Sequence, residues 1–159
     1  MAKLVEAVTV ANFDGWMSEA LGEAAACLET GDVPVGALVI SAEGGVIGRG
    51  RNERELTGDP TAHAEVLAIR VAAEALGTWQ LAGTTLVVTL EPCAMCAGAI
   101  LQARIPVVVF GAWDEKAGAA GSVNDLLRDR RLPHRVEVHA GIREAESAEL
   151  LRAFFAARR

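Results

Sequence analysis

Segments with the pattern of β-strands alternate along this chain with segments that have the pattern of helices, and this alternation restricts the possible folds most. The predicted strands cover residues 34–40, 46–50, 84–89, 107–111 and 135–139. The predicted helices cover residues 12–29, 61–75 and 144–157, with shorter ones from just after Pro92 to 102 and near Asp125. Strands that alternate with helices form a sheet with helices on both faces. The sequence therefore predicts an α/β fold whose ligand crevice lies at the carboxyl ends of strands.

The first helix and the first hairpin carry specific local signals at their ends. Asn12 or Asp14 is a suitable N-cap for the helix, and Gly31 is a suitable residue to end it. Residues 43–45, with the sequence Glu-Gly-Gly, are typical of a turn between two antiparallel strands. These signals predict a helix followed directly by a β-hairpin.

The composition is that of one globular domain. The 159 residues are 52% hydrophobic and 23% charged, which excludes disordered, collagen-like and coiled-coil proteins. No Pro/Ser-rich linker, low-complexity segment or internal repeat divides the chain. We therefore expect a single domain over residues 1–159.

The cysteine count and the N-terminus indicate a cytoplasmic protein. Three cysteines are too few for a disulfide scaffold, and an odd number leaves at least one thiol unpaired. The N-terminal residues 1–16 include Lys3 and Glu6 and lack the layout of a signal peptide. No apolar run is long enough to span a bilayer, so we expect no membrane contact.

The net formal charge of −6 hides an uneven distribution of charge. Residues 1–100 carry 5 basic and 13 acidic side chains, whereas residues 101–159 carry 10 basic and 8 acidic ones. An acidic protein is not typical of nucleic-acid binding, which usually needs a basic face. Two groups of arginines in the C-terminal third fit either a solvated surface or an RNA contact; they are Arg128, Arg130, Arg131 and Arg135 in one stretch, and Arg152, Arg158 and Arg159 near the end.

Two short motifs at predicted helix starts contain the chemistry. His63-Ala64-Glu65 begins one helix, and Pro92-Cys93-Ala94-Met95-Cys96 begins the next. Two thiolates and one imidazole supply three zinc ligands, which leaves the fourth tetrahedral position open for a water molecule. Zinc lowers the pKa of such a water toward neutrality. Glu65 is placed to carry protons between that water and a leaving group.

A Cys-x-x-Cys motif alone is weak evidence, since redox enzymes and zinc ribbons also contain it. A structural zinc site needs a fourth ligand, and the other candidates are Cys27, His134 and His139. We expect Cys27 to be a buried apolar residue and His139 to have a structural role within a strand. His134 fits either an exposed loop position or a ligand contact. The combination of His-x-Glu and Pro-Cys-x-x-Cys is the signature of zinc-dependent nucleobase deaminases.

Beyond this signature, most of the chain resembles the bacterial tRNA-specific adenosine deaminases, a family related to cytidine deaminases. The matching stretches are residues 33–37, Asn52, 59–65, 89–99, 110–112, Asp114, Lys116, 118–122 and 134–136. The resemblance implies a three-layer α/β/α sandwich with a five-stranded mixed sheet and a homodimer. It also implies conversion of adenosine to inosine at the wobble position of a tRNA anticodon stem-loop.

The resemblance also implies roles for individual residues. The implied zinc ligands, for one zinc ion per subunit, are His63, Cys93 and Cys96, and the implied proton shuttle is Glu65. Asn52 would hydrogen-bond the adenine, in a pocket formed in part by Val33, Pro34 and Ala64. Asp114 and Lys116 would contact the anticodon backbone, and His134 would contact the substrate.

The chain departs from some relatives at Trp113, where they have arginine. This tryptophan fits either a stacking surface for an unpaired base or a dimer contact. One rival interpretation is a deaminase of free bases or nucleosides, such as guanine, cytosine or cytidine. Another is a nucleic-acid-binding module with a closed, structural zinc site of four ligands.

Overall fold

The computed structural model describes residues 2–159, with side chains from residue 12 onward. Five helices are seen in this range: α1 (Ala2–Ala26), α2 (Arg54–Thr57), α3 (Ala64–Leu76), α4 (Ala94–Gln102) and α5 (Glu144–Ala156). A 3₁₀ turn, Cys27–Thr30, follows α1. The strands are β1 (Gly36–Ile40), β2 (Val46–Arg51), β3 (Thr85–Leu90), β4 (Val107–Ala112) and β5 (Glu137–His139). No described helix is both long enough and apolar enough to cross a membrane.

The strands form one mixed sheet in the order β2-β1-β3-β4-β5. Strand β1 is antiparallel to both β2 and β3, whereas β3, β4 and β5 are parallel to one another. Strands β2 and β5 are the two edges of the sheet. The expected five-stranded mixed sheet is therefore confirmed.

The sheet separates two apolar layers, and alternate residues of each central strand face opposite layers. Leu38, Val87 and Val109 pack with Phe13 and Met17 of α1. Their neighbours along the same strands pack with the layer that contains α3 and α4; they include Ala37, Val39, Leu86, Val88, Val108 and Phe110. Helix α5 lies on the α1 side, where the Ser147 hydroxyl donates a hydrogen bond to the Thr89 carbonyl. This arrangement is the α/β/α sandwich.

Helix α3 lies directly against the backbone of β2 because two residues of that strand have no side chain. A Cβ atom on Gly48 would collide with the Ala68 carbonyl, and one on Gly50 would collide with the Ala64 carbonyl. Ala64 and Ala68 are themselves small and fully buried. This contact fixes the position of the first turn of α3 relative to the sheet.

Most predicted elements are present with shifted ends, and three predictions are wrong in detail. Helix α1 begins at Ala2, so Asn12 and Asp14 lie inside it and do not cap it. The segment after β2, for which no helix was predicted, contains the short helix α2. The helix expected near Asp125 does not form; backbone bridges join Cys93 to Gly118 and Ala120 to Asp125 instead.

Two predicted local signals are confirmed. Gly31 ends the first helical segment with a left-handed φ of 74°, and its N–H bonds back to the preceding turn. In the hairpin, the Gly44 N–H donates to the Ser41 carbonyl at 2.9 Å, and the Ser41 N–H donates to the Gly45 carbonyl at 2.8 Å.

Candidate metal centre and active-site cavity

His63 and Glu65 are presented by the start of α3. His63 is the N-cap residue, in an extended conformation, and Glu65 lies in the first turn. The turn before them is organised by Asp59, whose carboxylate accepts hydrogen bonds from the Thr61 N–H and hydroxyl, both at 2.8 Å. Because Gly50 allows α3 to rest on β2, both side chains start from a backbone that is fixed by the sheet.

Cys93 and Cys96 are presented by the start of α4, directly after β3. Cys93 is the N-cap residue, and Cys96 is buried in the first turn. The His63 Nδ1 atom lies 3.6 Å from the Cys93 sulfur and 3.4 Å from the Cys96 sulfur. All three potential ligand atoms lie within 4.8 Å of one another. The three residues predicted as metal ligands thus meet at one point between two helix N-termini.

The two thiols compete for one proton in this cluster. The Cys96 thiol donates a hydrogen bond that lowers the pKa of Cys93 to about 3. The same contact and burial raise the pKa of Cys96. The hydrogen bond with Cys93 also raises the pKa of His63. A bound cation would remove this competition, since it stabilises both thiolates at once.

The donor set fits zinc, which prefers sulfur and nitrogen ligands in a four-coordinate site. Among the described residues, only His63, Cys93 and Cys96 form such a cluster. Cys27 is buried, as predicted, and its thiol donates to the Val35 carbonyl at 3.5 Å. His139 pairs with Glu137 at 2.6 Å and packs on Phe13. Three ligands without a fourth are typical of a catalytic site.

Glu65 is the acidic residue beside this cluster. Its side chain is 4% exposed, and burial raises the pKa of its carboxyl group. A raised pKa makes a carboxyl group hold a proton more readily than an ordinary carboxyl group does, so that it can act as a donor as well as an acceptor. Such a group is suited to general acid–base chemistry.

The cluster lies in the wall of a cavity of about 730 Å³. Most of the side chains predicted to contact substrate line this cavity: Val33, Asn52, Ala64, Asp114 and Lys116. Pro34 is buried beside it but is not one of its lining residues. His134 is half-buried in the loop before β5 and does not line the cavity either. The structure therefore brings together all but two of the predicted site residues.

The Asn52 side chain is held in one orientation by backbone groups. Its amide nitrogen donates to the Val33 carbonyl at 3.1 Å, and its amide oxygen accepts from the Arg54 N–H at 3.2 Å. Helix α2 is held in turn by the buried carboxylate of Asp32, which accepts from the Glu55 N–H at 2.6 Å. Asn52 is therefore a preorganised polar group in the cavity wall.

Several lining residues were not predicted as site residues. Helix α5 contributes Leu151 and Phe155, which are spaced one helical turn apart. The helix as a whole was expected, but its contact with the site depends on tertiary packing. Arg54 and Trp113 also line the cavity, and the indole is 42% exposed with its ring edge-on to Phe110.

Comparisons with known proteins agree with this geometry. The family model of the MafB19-like deaminases matches residues 11–159. A tRNA-specific adenosine deaminase of Bacillus subtilis (strain 168) is 48% identical over 140 residues, which are 88% of this chain and 86% of that protein.

Solved structures give the same result. One from a study of A-to-I editing by tRNA:A34 deaminases at the wobble position of transfer RNA has a TM-score of 0.82 and 44% identity; the match covers 86% of this chain and 99% of that one. A guanine deaminase from Bacillus subtilis is more distant, with a TM-score of 0.61 and 38% identity over 68% of this chain and 69% of that one. The chain therefore belongs to the MafB19-like deaminase family, and within it to the tRNA-specific adenosine deaminases.

Proposed function

We propose that this protein catalyses the hydrolytic deamination of adenosine to inosine at the wobble position of a tRNA anticodon. The observation that carries the proposal is the meeting of His63, Cys93, Cys96 and the buried Glu65 in the wall of one cavity. The high identity to tRNA-specific adenosine deaminases supports the choice of substrate. The net reaction consumes one water molecule and releases ammonia.

We propose that each subunit holds one Zn²⁺ ion through the His63 imidazole and the Cys93 and Cys96 thiolates. When bound, zinc acts as a Lewis acid that lowers the pKa of water and so makes a nucleophile available at neutral pH. The protein contributes the three donors on two helix N-termini, where the exposed N–H groups stabilise thiolates.

Glu65 moves the protons of the reaction. Its carboxylate takes a proton from the attacking water and delivers it to ring nitrogen 1 of the adenine. The attack leaves a hydroxyl group on carbon 6 of the adenine. The proton of this hydroxyl group passes through Glu65 to the exocyclic amino group, the carbon–nitrogen bond breaks, and ammonia leaves as the C=O group of inosine forms. Burial raises the pKa of Glu65, which helps the carboxyl group to hold each proton between its acceptance and its delivery.

The adenine is held by the walls around this carboxyl group. Asn52 offers amide donor and acceptor groups to a base edge, while Val33 and Ala64 supply apolar surface and the buried Pro34 lies behind them. The base must leave its stack to reach the reacting groups. An anticodon loop, which is already single-stranded, lowers the cost of this movement.

The RNA backbone lies along the other wall of the cavity. The exposed Lys116 ammonium group is suited to phosphates, and the Asp114 carboxylate to ribose hydroxyls. One Asp114 oxygen also accepts the Lys116 and Ala117 N–H groups at 3.1 and 3.2 Å, so it shapes this turn as well. His134 is outside the cavity lining, and the RNA contact proposed for it lies beyond the deamination pocket.

We further propose that the protein is a homodimer, in accordance with its family resemblance, and that it acts in the cytoplasm, in accordance with its three free thiols. Light scattering on the purified protein tests the dimer. A mass equal to one chain at micromolar concentration contradicts it.

Deamination of free guanine is the second candidate function, since a guanine deaminase shares the fold at 38% identity. The purified protein should release ammonia from an anticodon stem-loop with a wobble adenosine. Parallel reactions with guanine and cytidine identify the rival activities.

The mechanism is tested by Glu65→Ala. The variant should keep one equivalent of zinc, because the three ligands are unchanged, and should lose inosine formation. Glu43→Gln changes an exposed carboxylate in the β1–β2 turn and should behave as the wild type. Full activity of Glu65→Ala would refute the proposed proton transfer.

A further inference from the structure

Glu91 is a second buried carboxylate near the metal centre, and the proposed mechanism does not use it. It lies directly after β3, two residues before Cys93, and its side chain is 2% exposed. Its backbone N–H donates to the Ala112 carbonyl at 2.8 Å, which fixes the residue against the end of β4. The side chain therefore starts from a rigid part of the sheet.

Every hydrogen bond that the structure gives this carboxylate comes from one segment, residues 114–122. One oxygen accepts the Asp114 N–H at 3.1 Å. The other accepts the Ala120 and Ser122 N–H groups at 3.0 and 3.2 Å. The Ser122 hydroxyl lies 2.7 and 2.8 Å from the two oxygens. Backbone dipoles and one hydroxyl group, not a cationic side chain, stabilise the buried charge.

The same segment forms a wall of the cavity. Asp114, Glu115, Lys116 and Ala117 all line it. The groups that donate hydrogen bonds to Glu91 lie at the two ends of the segment 114–122, at Asp114 and at residues 120–122. The turn between these two ends projects toward the cavity. Glu91 thus connects the strand that leads to Cys93 with the wall proposed to contact RNA.

The segment is fitted closely around the carboxylate. A Cβ atom on Gly118 would collide with the Glu91 carboxylate and the Ser122 hydroxyl oxygen. The Ala119 N–H donates to the Pro92 carbonyl at 2.8 Å, which holds the segment against the residue next to Glu91. The segment therefore has no free space in which it could adjust to a different side chain at position 91.

We propose that Glu91 is a positioning residue that holds residues 114–122 in the conformation that binds the RNA substrate. It acts on substrate binding and takes no part in the transfer of protons by Glu65. The identification of the substrate as RNA rests on the proposed function. The statement that Glu91 fixes the conformation of residues 114–122 rests only on the contacts of Glu91.

Glu91→Gln is the most informative variant because it keeps the shape and removes one acceptor oxygen. Both oxygens of Glu91 face donors, so the NH₂ group of glutamine would face an N–H donor wherever it is placed. Glu91→Asp keeps the charge and both acceptors on a shorter side chain. We expect aspartate to restore part of what glutamine loses.

The experiment measures steady-state kinetics on a wobble-adenosine stem-loop, zinc content and hydrogen exchange of residues 114–122. Glu91→Gln should raise KM about tenfold with kcat within about threefold of the wild type, since at least one backbone donor loses its partner. Zinc content should be unchanged. The amides that lose their acceptor should exchange faster: Asp114 if the glutamine NH₂ replaces one oxygen, Ala120 and Ser122 if it replaces the other. Glu43→Gln is the matched control.

The outcomes separate the two proposals. Unchanged KM and unchanged amide exchange in Glu91→Gln would refute the proposed role of Glu91. A lower kcat or a lower zinc content at constant KM would refute it as well. If the wild type does not deaminate the stem-loop, the proposed function fails, and amide exchange still tests the hold on the segment. If Glu91→Gln does not fold, Ser122→Ala replaces it; a rise in KM of about threefold supports the proposal and an unchanged KM contradicts it.

Discussion

Replacement of Gly50 by alanine tests whether the backbone contact between β2 and α3 positions the metal centre. Gly50 lies one residue before the end of β2, under the first turn of α3. The added methyl group would collide with the Ala64 carbonyl oxygen. It would also lie 2.6 Å from the Ala68 nitrogen and 3.1 Å from the Leu67 Cβ atom. Two of these three neighbours are backbone atoms, which cannot rotate away.

The size of the effect follows from these contacts. Insertion of one methyl group into a packed interior costs about 1–3 kcal/mol when the surroundings must move. For a chain of this length, that loss lowers the melting temperature by roughly 2–12 °C. The helix relieves the collision by moving away from the sheet, and His63 and Glu65 move with it. Because catalytic geometry is sensitive at about 1 Å, we expect activity to fall by roughly 100-fold.

The assay combines urea denaturation, zinc titration and inosine formation. Gly22→Ala is the matched control, since it makes the same change within α1 at a site where the added Cβ atom meets nothing within 4 Å beyond the adjoining helix backbone. That variant should be more stable by about 0.5–1 kcal/mol, because alanine favours the helix, and should keep full activity. The reasoning is refuted if Gly50→Ala matches the wild type in stability and in zinc affinity.

Two further predictions concern charge and burial. Lys116→Gln should weaken binding of the stem-loop and make the salt dependence of binding less steep. Arg49→Gln, which removes a cation paired with Glu19 at 2.7 Å, should leave both quantities unchanged. Equal slopes for Lys116→Gln and wild type in a salt titration would contradict a phosphate contact. Burial raises the pKa of the Cys27 thiol in the folded protein. Above about pH 8.5 the thiol therefore loses its proton in the unfolded chain but keeps it in the folded chain, so the stability of the fold decreases as the pH rises. The difference in unfolding free energy between wild type and Cys27→Ala should therefore shrink from pH 7.5 to pH 10, and a constant difference would be evidence against a buried, protonated thiol.

The sheet and the ligand cluster were predictable from the sequence because both depend on local patterns. Runs such as residues 84–89 face two layers in alternation, and their high content of β-branched residues identifies them as strands. His63, Cys93 and Cys96 were identifiable because ligand spacing at a helix start is itself a short-range signal. The local patterns and the family resemblance both predicted five strands, whereas the order of the strands is seen only in the structure.

The remaining features depend on tertiary contacts that no local pattern reports. The helix predicted near Asp125 does not form because the backbone there is engaged otherwise: Ala120 bridges to Asp125, and its N–H donates to the Glu91 carboxylate. Phe155 was expected on the closing helix, while its place in the cavity follows from how α5 packs on the sheet. Asn52 was predicted as a base contact, and only the structure shows the two backbone groups that orient it.

The two edge strands have a consequence for how this protein behaves at high concentration. Edge β5 is only three residues long and carries Glu137 and His139, and edge β2 carries the exposed Arg49. Short, charged edges are poor templates for strand addition by another chain, and this hinders the growth of sheet aggregates. Association of two copies by strand pairing at either edge of the sheet is therefore disfavoured.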